Sequence, residues 1–118
     1  MIYDDYIQYC IDYEKIYGKE TVILMEVGGF FELYGVDYNN NKSGADIYKV
    51  ASLLGIQVSR KNKNIIENSN TNPLMAGFPS YTLNKFIDIL VTNNKTVVLV
   101  EQVTPPPNPK RDVTRIIS

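Results

Sequence analysis

An aromatic ring and a carboxylate stand two residues apart, directly after a pair of glycines, in the stretch GGFFEL at residues 28–33. Residues two apart on a β-strand share a face, so a strand here would present Phe30 and Glu32 together. An aromatic face offers a stacking surface, and a carboxylate accepts hydrogen bonds. The glycines permit unusual torsions and let the backbone approach another molecule closely. Strand alternation alone leaves open whether Phe30 or Phe31 faces outward.

The composition argues against several other chemistries. The 118-residue chain has no histidine and one cysteine, Cys10, so it lacks the commonest general base and the ligands of a structural zinc site. A lone cysteine cannot form an internal disulfide, which favours a reducing intracellular compartment. The chain has no apolar run of about 18 residues and no basic leader followed by an apolar block. We therefore expect neither a membrane span nor a secretory signal.

Charge is unevenly distributed along the chain, although its net value is only −1. Residues 1–59 carry four lysines and nine acidic residues, a net charge of −5. Residues 60–118 carry eight basic and four acidic residues, a net charge of +4. The basic residues of this second half include two groups, Arg60, Lys61 and Lys63 and then Lys110, Arg111 and Arg115. Charge alone leaves open whether they contact phosphates or line two solvated loops.

Helical and extended patterns alternate along the chain, which predicts an α/β (α+β) fold. We expect a mixed β-sheet of about five to six strands flanked by about three helices. Apolar spacings of three and four predict helices at residues 3–17, 44–54 and 81–90. In the first helix these spacings place Tyr6, Cys10, Tyr13 and Tyr17 on one face. Apolar and β-branched runs predict strands at residues 21–27, 30–34, 56–59, 96–100 and 113–117.

The remaining segments are expected to be loops and turns. Asparagine clusters and the polar stretch 61–72 predict turns, and the proline run at 105–109 predicts an extended loop. The apolar block PLMAGFP at residues 73–79 lies between two prolines and should be close-packed. The chain is interpreted as one domain spanning residues 1–118, cut from a longer protein, because it ends in a strand region.

Four blocks taken together resemble the N-terminal mismatch-recognition domain (domain I) of the MutS family of DNA mismatch repair proteins. They are GGFFELY at residues 28–34, PLMAGFP at 73–79, VEQ at 100–102 and RDVTRII at 111–117. Their order and spacing match over roughly residues 3–118. The resemblance implies that Phe30 wedges into a DNA duplex beside a mispaired or unpaired base. It also implies that Glu32 contacts that base.

The same resemblance implies supporting roles for other residues. Arg115, Arg60 and Lys61 would meet the DNA backbone and position the duplex rather than read it. Met75 and Phe78 are candidates for contacting DNA or supporting the wedge, with a purely structural place in the core as the alternative. The block at residues 100–102 ends a strand and is interpreted as structural.

Physical reasoning supports the roles of the ring and the carboxylate. A ring can replace the stacking partner that a mismatch has lost and can kink the duplex from the minor groove. Opening a base step costs a few kcal/mol, and less where pairing is already weak. A glutamate near phosphates is repelled, yet it gains a hydrogen bond when it faces an amino or imino N–H of a displaced base. Facing an intact pair, it meets repulsion without that gain.

Three positions near the wedge depart from the family pattern. Glu26 stands where the family usually has arginine, Gly29 where it has aspartate, and Phe31 where it has tyrosine. None of these changes removes the ring or the carboxylate, but Glu26 puts a phosphate contact at its position in doubt. Together with the asparagine-rich composition, the departures indicate an unusual branch of the family, virus-encoded or organellar.

The resemblance also implies what the whole protein does. This domain would be no enzyme and would hold no cofactor, whereas the parent protein would be a homodimer that uses ATP and Mg²⁺. Its partner would be double-stranded DNA with a mismatch or unpaired base, and no membrane would be involved. No GxxxxGK[S/T] phosphate-binding loop occurs in residues 1–118.

Two other functions remain as alternatives. A magnesium-dependent nuclease is disfavoured because the best strand ends in VEQV at residues 100–103, without the lysine that such sites use. A protein-interaction or regulatory module could use the same fold without DNA, although keeping both Phe30 and Glu32 argues against it.

Overall fold

In the computed structural model, which describes residues 2–118, two aliphatic runs form the centre of the sheet. They are β1 (Thr21–Val27) and β6 (Thr96–Gln102), which lie side by side and parallel. Their central residues are buried on both faces of the sheet. Burial on both faces explains why each run is continuously apolar rather than alternating.

The other strands extend the sheet on both sides of this centre. They are β2 (Phe30–Tyr38), β3 (Asn41–Gly44), β4 (Ser59–Arg60), β5 (Leu74–Pro79) and β7 (Arg111–Ile117). Six of the seven strands follow the order β4-β5-β2-β1-β6-β7, and β3 pairs with β2 beyond the end of the β1 pairing. Every pairing except that of β1 with β6 is antiparallel. The predicted mixed α/β fold is confirmed, with one strand more than expected.

Three helices cover the two faces of this sheet. They are α1 (Ile2–Tyr17), α2 (Ile47–Leu54) and α3 (Leu83–Thr92), the last preceded by a 3-10 turn at Ser80–Thr82. On one face, α1 packs its Tyr6 ring edge-to-face against Tyr34 of β2, with ring centroids 5.4 Å apart. On the other face, Phe86 of α3 stacks on Phe78 of β5 at 4.2 Å. None of the helices in residues 2–118 is long and apolar enough to cross a membrane.

The first helix is tied to the sheet by tyrosine hydroxyls. Tyr6 donates to the carbonyl oxygen of Ile23 at 2.7 Å, and Tyr3 hydrogen-bonds the hydroxyl of Ser43 at 2.7 Å. The predicted buried face holds for Tyr6 and Cys10, but Tyr17 is exposed and stacks on Tyr13. Residues 14–20 are all exposed, so the end of α1 projects past the sheet.

The second predicted helix begins three residues later than expected, because residues 41–44 are a strand. Asn39 and Asn40 have φ values of +49° and +67° and form the two-residue turn of a hairpin between β2 and β3. The sequence NKSG has little strand propensity, so backbone pairing with β2 decides its conformation. Gly44 is required here, because its φ is +71° and an added Cβ would lie 2.6 Å from the carbonyl oxygen of Tyr34.

The strand predicted at residues 56–59 is wrong except at its end, and the block at residues 73–79 is a strand instead. Of residues 56–60, only Ser59 and Arg60 (β4) pair with another strand, which is β5. The predicted loop at residues 61–72 is organised by the buried amide of Asn72. That amide donates to backbone oxygens of Asn62, Ile65 and Glu67 and accepts from the N–H of Asn62.

The packing of β2 against α2 predicts a stability cost at one glycine and not at another. A Cβ on Gly35 would lie 2.6 Å from the carbonyl oxygen of Ala45 and 3.2 Å from Ile47. We therefore expect Gly35→Ala to lower the free energy of unfolding by about 1–3 kcal/mol in urea titrations. Gly29→Ala is the control, because its Cβ meets no atom within 4 Å. Equal losses in the two variants would contradict this packing.

Candidate nucleic-acid interface

Phe30 begins β2 directly after a two-residue hairpin turn. Val27 and Phe30 pair across the turn, with Gly28 and Gly29 at its centre. Gly28 has a φ of +59° and Gly29 has no positive φ, a pattern typical of a type II′ turn, which needs glycine first. Phe30 is 49% exposed, whereas Phe31 is 2% exposed. The structure thus answers which phenylalanine faces outward, and it is Phe30.

The hairpin turn is hydrogen-bonded from both sides. The side chain of Gln102, at the end of β6, accepts from the N–H of Gly28 at 2.9 Å and donates to its carbonyl oxygen at 3.2 Å. On the other side, the N–H of Ser80 donates to the carbonyl oxygen of Gly29 at 2.8 Å. Both central residues of the turn are therefore held in place without a ligand. Such preorganisation lowers the entropy cost of binding.

Glu26 and Arg111 support Gln102 from below the turn. The carboxylate of Glu26 accepts from the backbone N–H of Gln102 at 2.8 Å, and its carbonyl oxygen accepts from Nε of Arg111 at 2.7 Å. The residue that replaces the family's usual arginine therefore serves an internal hydrogen bond. Arg111, expected only as one of several basic residues, also contributes to the base of the hairpin.

Glu32 and Tyr34 continue the row that Phe30 begins on one face of β2. The Tyr34 hydroxyl donates to Oε1 of Glu32. Burial first, and then the hydrogen bond and charge of Glu32, raise the pKa of Tyr34 above its ordinary value. The hydroxyl therefore keeps its proton at neutral pH and remains a donor. Within residues 2–118 no group hydrogen-bonds Oε2 of Glu32, so this oxygen is available to a ligand.

The two apolar candidates of the PLMAGFP block lie on opposite faces of β5. Phe78 is 2% exposed and packs between Phe31 and Phe86, which matches the structural alternative, a place in the core. Its ring is enclosed by the core and supports β2 from behind. Met75 is partly buried and lies opposite Tyr34, on the face that carries Glu32. A DNA contact by Met75 stays a prediction.

Arg60 and Lys61 lie at the far end of the sheet from Phe30. Arg60 pairs in register with Leu74, opposite a point five residues along β2 from Phe30. At about 3.3 Å per residue, that separation is about 17 Å along the strand. The Arg60 guanidinium donates to the carbonyl oxygen of Lys63 at 2.9 Å and its Nε is buried, so it holds its own loop. Lys61 is exposed.

Arg115 also lies away from the Phe30 ring. It is exposed on β7, three strands from β2, which corresponds to about 14 Å at about 4.8 Å per strand. A bulge between Leu99 and Val100 makes Arg115 pair with Leu99, on the sheet face opposite Glu32. The structure therefore brings together Phe30 and Glu32 but neither Arg115 nor Arg60. Phosphate contacts by the basic residues stay predictions.

Two residues beside the hairpin of β1 and β2 were not predicted as site residues from the sequence. Tyr81 is 87% exposed and follows Ser80, whose N–H bonds the hairpin turn. It was expected only as the start of a helix, and an exposed aromatic directly after the PLMAGFP block is the signal that was overlooked. Gln102 was interpreted as structural, without its partner. An amide that can pair with both groups of a peptide, at the end of a strand, was its signal.

The remaining reactive groups offer little chemistry. Burial raises the pKa of the Cys10 thiol to about 12, so it stays protonated. Among residues 2–118, no group of three or more His, Cys, Asp or Glu side chains could hold a metal ion. The hairpin itself offers a ring for stacking and a carboxylate oxygen for hydrogen bonding.

The paired hydrogen bonds of Gln102 predict a measurable protection of the turn. We expect Gln102→Ala to speed hydrogen exchange at the Gly28 amide and to lower the free energy of unfolding by about 1 kcal/mol. Nuclear magnetic resonance exchange and urea unfolding measure the two effects. Gln57→Ala, at an exposed glutamine, should change neither. Unchanged exchange at Gly28 would show that Gln102 does not hold the turn.

Comparisons with known proteins agree on one family. Residues 10–118 match the family model of MutS domain I. The DNA mismatch repair protein MutS of Streptococcus gordonii is 29% identical over 116 residues, which cover 94% of this chain and 12% of that protein. The DNA mismatch repair protein HexA of Streptococcus pneumoniae gives the same figures.

A viral protein is among the relatives. A mimivirus protein named as a MutS homologue is 30% identical over 91 residues, which cover 76% of this chain and 8% of that protein. The chain thus spans 12% or less of the length of these curated relatives. The resemblance seen in the sequence is confirmed.

Proposed function

The chain belongs to the MutS domain I family, and from that premise we propose that it senses mismatched or unpaired bases in double-stranded DNA. In this proposal Phe30 inserts into the duplex and Glu32 contacts the displaced base. The observation that carries it is the half-exposed ring of Phe30, on a hairpin turn that is hydrogen-bonded from both sides. Because the turn holds this apolar ring half in solvent, the ring contributes little to the stability of the domain.

The energetics of insertion favour damaged pairs. Stacking of a base on an aromatic side chain is worth about 1–3 kcal/mol. Separating a base step costs a few kcal/mol in an intact duplex, and less where pairing and stacking are already weakened. The two terms nearly balance, so the state of the base pair decides whether the ring enters. Binding then reports lost pairing rather than sequence.

The hairpin turn also suits a close approach to the minor groove. An added Cβ on Gly28 or Gly29 would meet no atom within 4 Å, so the outer side of the turn is open. The ring of Phe30 and the carboxylate of Glu32 lie on the same face of β2, two residues apart. A duplex that receives the ring would therefore bring the neighbouring base within reach of the carboxylate.

Glu32 adds a penalty that depends on the base. Its free oxygen accepts a hydrogen bond from an amino or imino N–H of a displaced base. Next to an intact A·T pair, whose minor-groove edge shows only acceptors, the carboxylate meets those acceptors and nearby phosphates and gains no hydrogen bond. Its contribution to specificity thus comes from weakening the binding of correct DNA.

Activities of the whole protein are part of the same proposal. The bacterial relatives are named DNA mismatch repair proteins, and this chain spans only a small part of them. We propose that the full-length protein forms a homodimer that uses ATP and Mg²⁺. One subunit of this homodimer would insert its Phe30. The domain itself would bind DNA without catalysing a reaction. Arg60, Lys61, Arg115 and Met75 remain candidate DNA contacts within it.

Removing the ring should remove the preference for damaged DNA. We expect the full-length protein to bind a duplex with one unpaired thymine at least tenfold more tightly than the perfect duplex, about 1.4 kcal/mol. Phe30→Ala should abolish this preference while weak general binding remains. Fluorescence anisotropy measures both affinities. The titrations are made at about 0.15 M salt, because salt weakens the electrostatic, sequence-independent part of DNA binding.

Tyr48→Ala is the matched control for this experiment. Tyr48 is an aromatic of equal exposure on α2, 51% against 49% for Phe30, but it lies away from the hairpin. Its removal should leave the preference intact. A preference that survives Phe30→Ala, or that falls equally in both variants, would remove Phe30 from the proposed role.

The penalty argument predicts a distinct behaviour for the carboxylate. Glu32→Ala should raise affinity for the perfect duplex and reduce the preference for unpaired thymine, because both the repulsion and the hydrogen bond are lost. The same anisotropy titrations measure both quantities. Asp88→Ala removes the same charge from the exposed side of α3 and should preserve the preference. Weaker binding of Glu32→Ala to the perfect duplex would refute the penalty.

A further inference from the structure

We propose that Tyr34 is a positioning residue for Glu32, holding one carboxylate oxygen so that the other is presented to the displaced base. This inference rests on the function proposed above. Its direct basis is the hydrogen bond from the Tyr34 hydroxyl to Oε1 of Glu32, two residues away on the same face of β2.

The donor itself is held rigidly. Tyr34 is 4% exposed, and its ring packs edge-to-face against Tyr3 and Tyr6 of α1, with centroids 6.4 and 5.4 Å away. Tyr6 is fixed in turn by its hydrogen bond to the carbonyl oxygen of Ile23. The hydroxyl of Tyr34 is therefore a fixed point, anchored through α1 to the centre of the sheet.

The acceptor, in contrast, has little else to hold it. A glutamate side chain has three torsions and loses much rotamer freedom when it is ordered. Opposite Glu32 on β5 stands Gly77, which has no side chain to pack against it. A Cβ on Gly77 would lie 3.1 Å from Cγ of Glu32, so the glycine makes the room that the glutamate occupies. Tyr34 gives the carboxylate its only side-chain hydrogen bond within residues 2–118.

This arrangement assigns different roles to the two carboxylate oxygens. Oε1 is occupied by the Tyr34 hydroxyl, whose burial keeps it protonated and donating. Oε2 is left as an acceptor on the face that carries Phe30. An acceptor suits a base that offers an N–H, such as N3–H of an unpaired thymine, and gains nothing from an edge that offers only acceptors. Without Tyr34, the carboxylate would sample orientations in which neither oxygen meets the base.

The test removes only the hydroxyl. In the full-length protein, Tyr34→Phe should lower the preference for unpaired thymine about three- to tenfold, the range of one hydrogen bond. Tyr3→Phe is the matched control, because it removes a hydroxyl from a neighbouring core tyrosine that bonds Ser43 instead of Glu32. Tyr3→Phe should leave the preference unchanged. Thermal unfolding of both variants reports whether the fold is retained.

A double-mutant cycle separates positioning from a structural role. In the Glu32→Ala background, Tyr34→Phe should have no further effect on the preference, because the carboxylate it positions is gone. A full effect of Tyr34→Phe without Glu32, or no effect with Glu32 present, would overturn this inference alone. A wild-type protein with no preference, or one whose preference survives Phe30→Ala, would overturn the proposed function and this inference with it.

Discussion

The hydrogen bonds that join the side chain of Gln102 to both peptide groups of Gly28 fix the position of the hairpin turn and of the ring that follows it. They form because β1 and β6 are parallel and in register, so the carboxyl ends of these two strands lie side by side. The two partners are 74 residues apart in sequence. A contact of such long range forms only when the whole central sheet is in place, which couples the hairpin between β1 and β2 to the core.

At the start of β2, the side chains of one face become progressively more buried with distance from the turn. Its alternate residues Phe31 and Leu33 enter the core, where Phe78 stacks on Phe31. The other series, Phe30, Glu32 and Tyr34, runs from an exposed ring to a tyrosine covered by α1. One strand therefore carries a solvent-facing group, a partly buried carboxylate and a buried anchor in sequence. The anchor can order the carboxylate without covering the ring.

The sequence predicted those features that depend on local pattern. The central strands were identifiable because burial on both faces demands continuous apolar runs, and the tyrosine spacing marked α1. Phe30 and Phe31 could not be told apart by alternation, because only the packing of Phe31 against Phe78 decides between them. β3 has no strand-forming residues and is held by pairing with β2. For Phe78 the sequence left a DNA contact, support of the wedge and a place in the core open, and strand alternation directs its ring into the core.

Whether Phe30 enters the duplex beside an unpaired base can be seen in a structure of the full-length protein bound to such DNA. The duplex should carry one unpaired thymine. We predict that the Phe30 ring lies in stacking contact with a base next to the lesion, at about 3.5–4 Å between carbon atoms. Oε2 of Glu32 should lie within hydrogen-bonding distance of the displaced thymine. A complex in which the hairpin turn lies away from the lesion, with Phe30 packed against protein, would show that Phe30 does not insert into DNA.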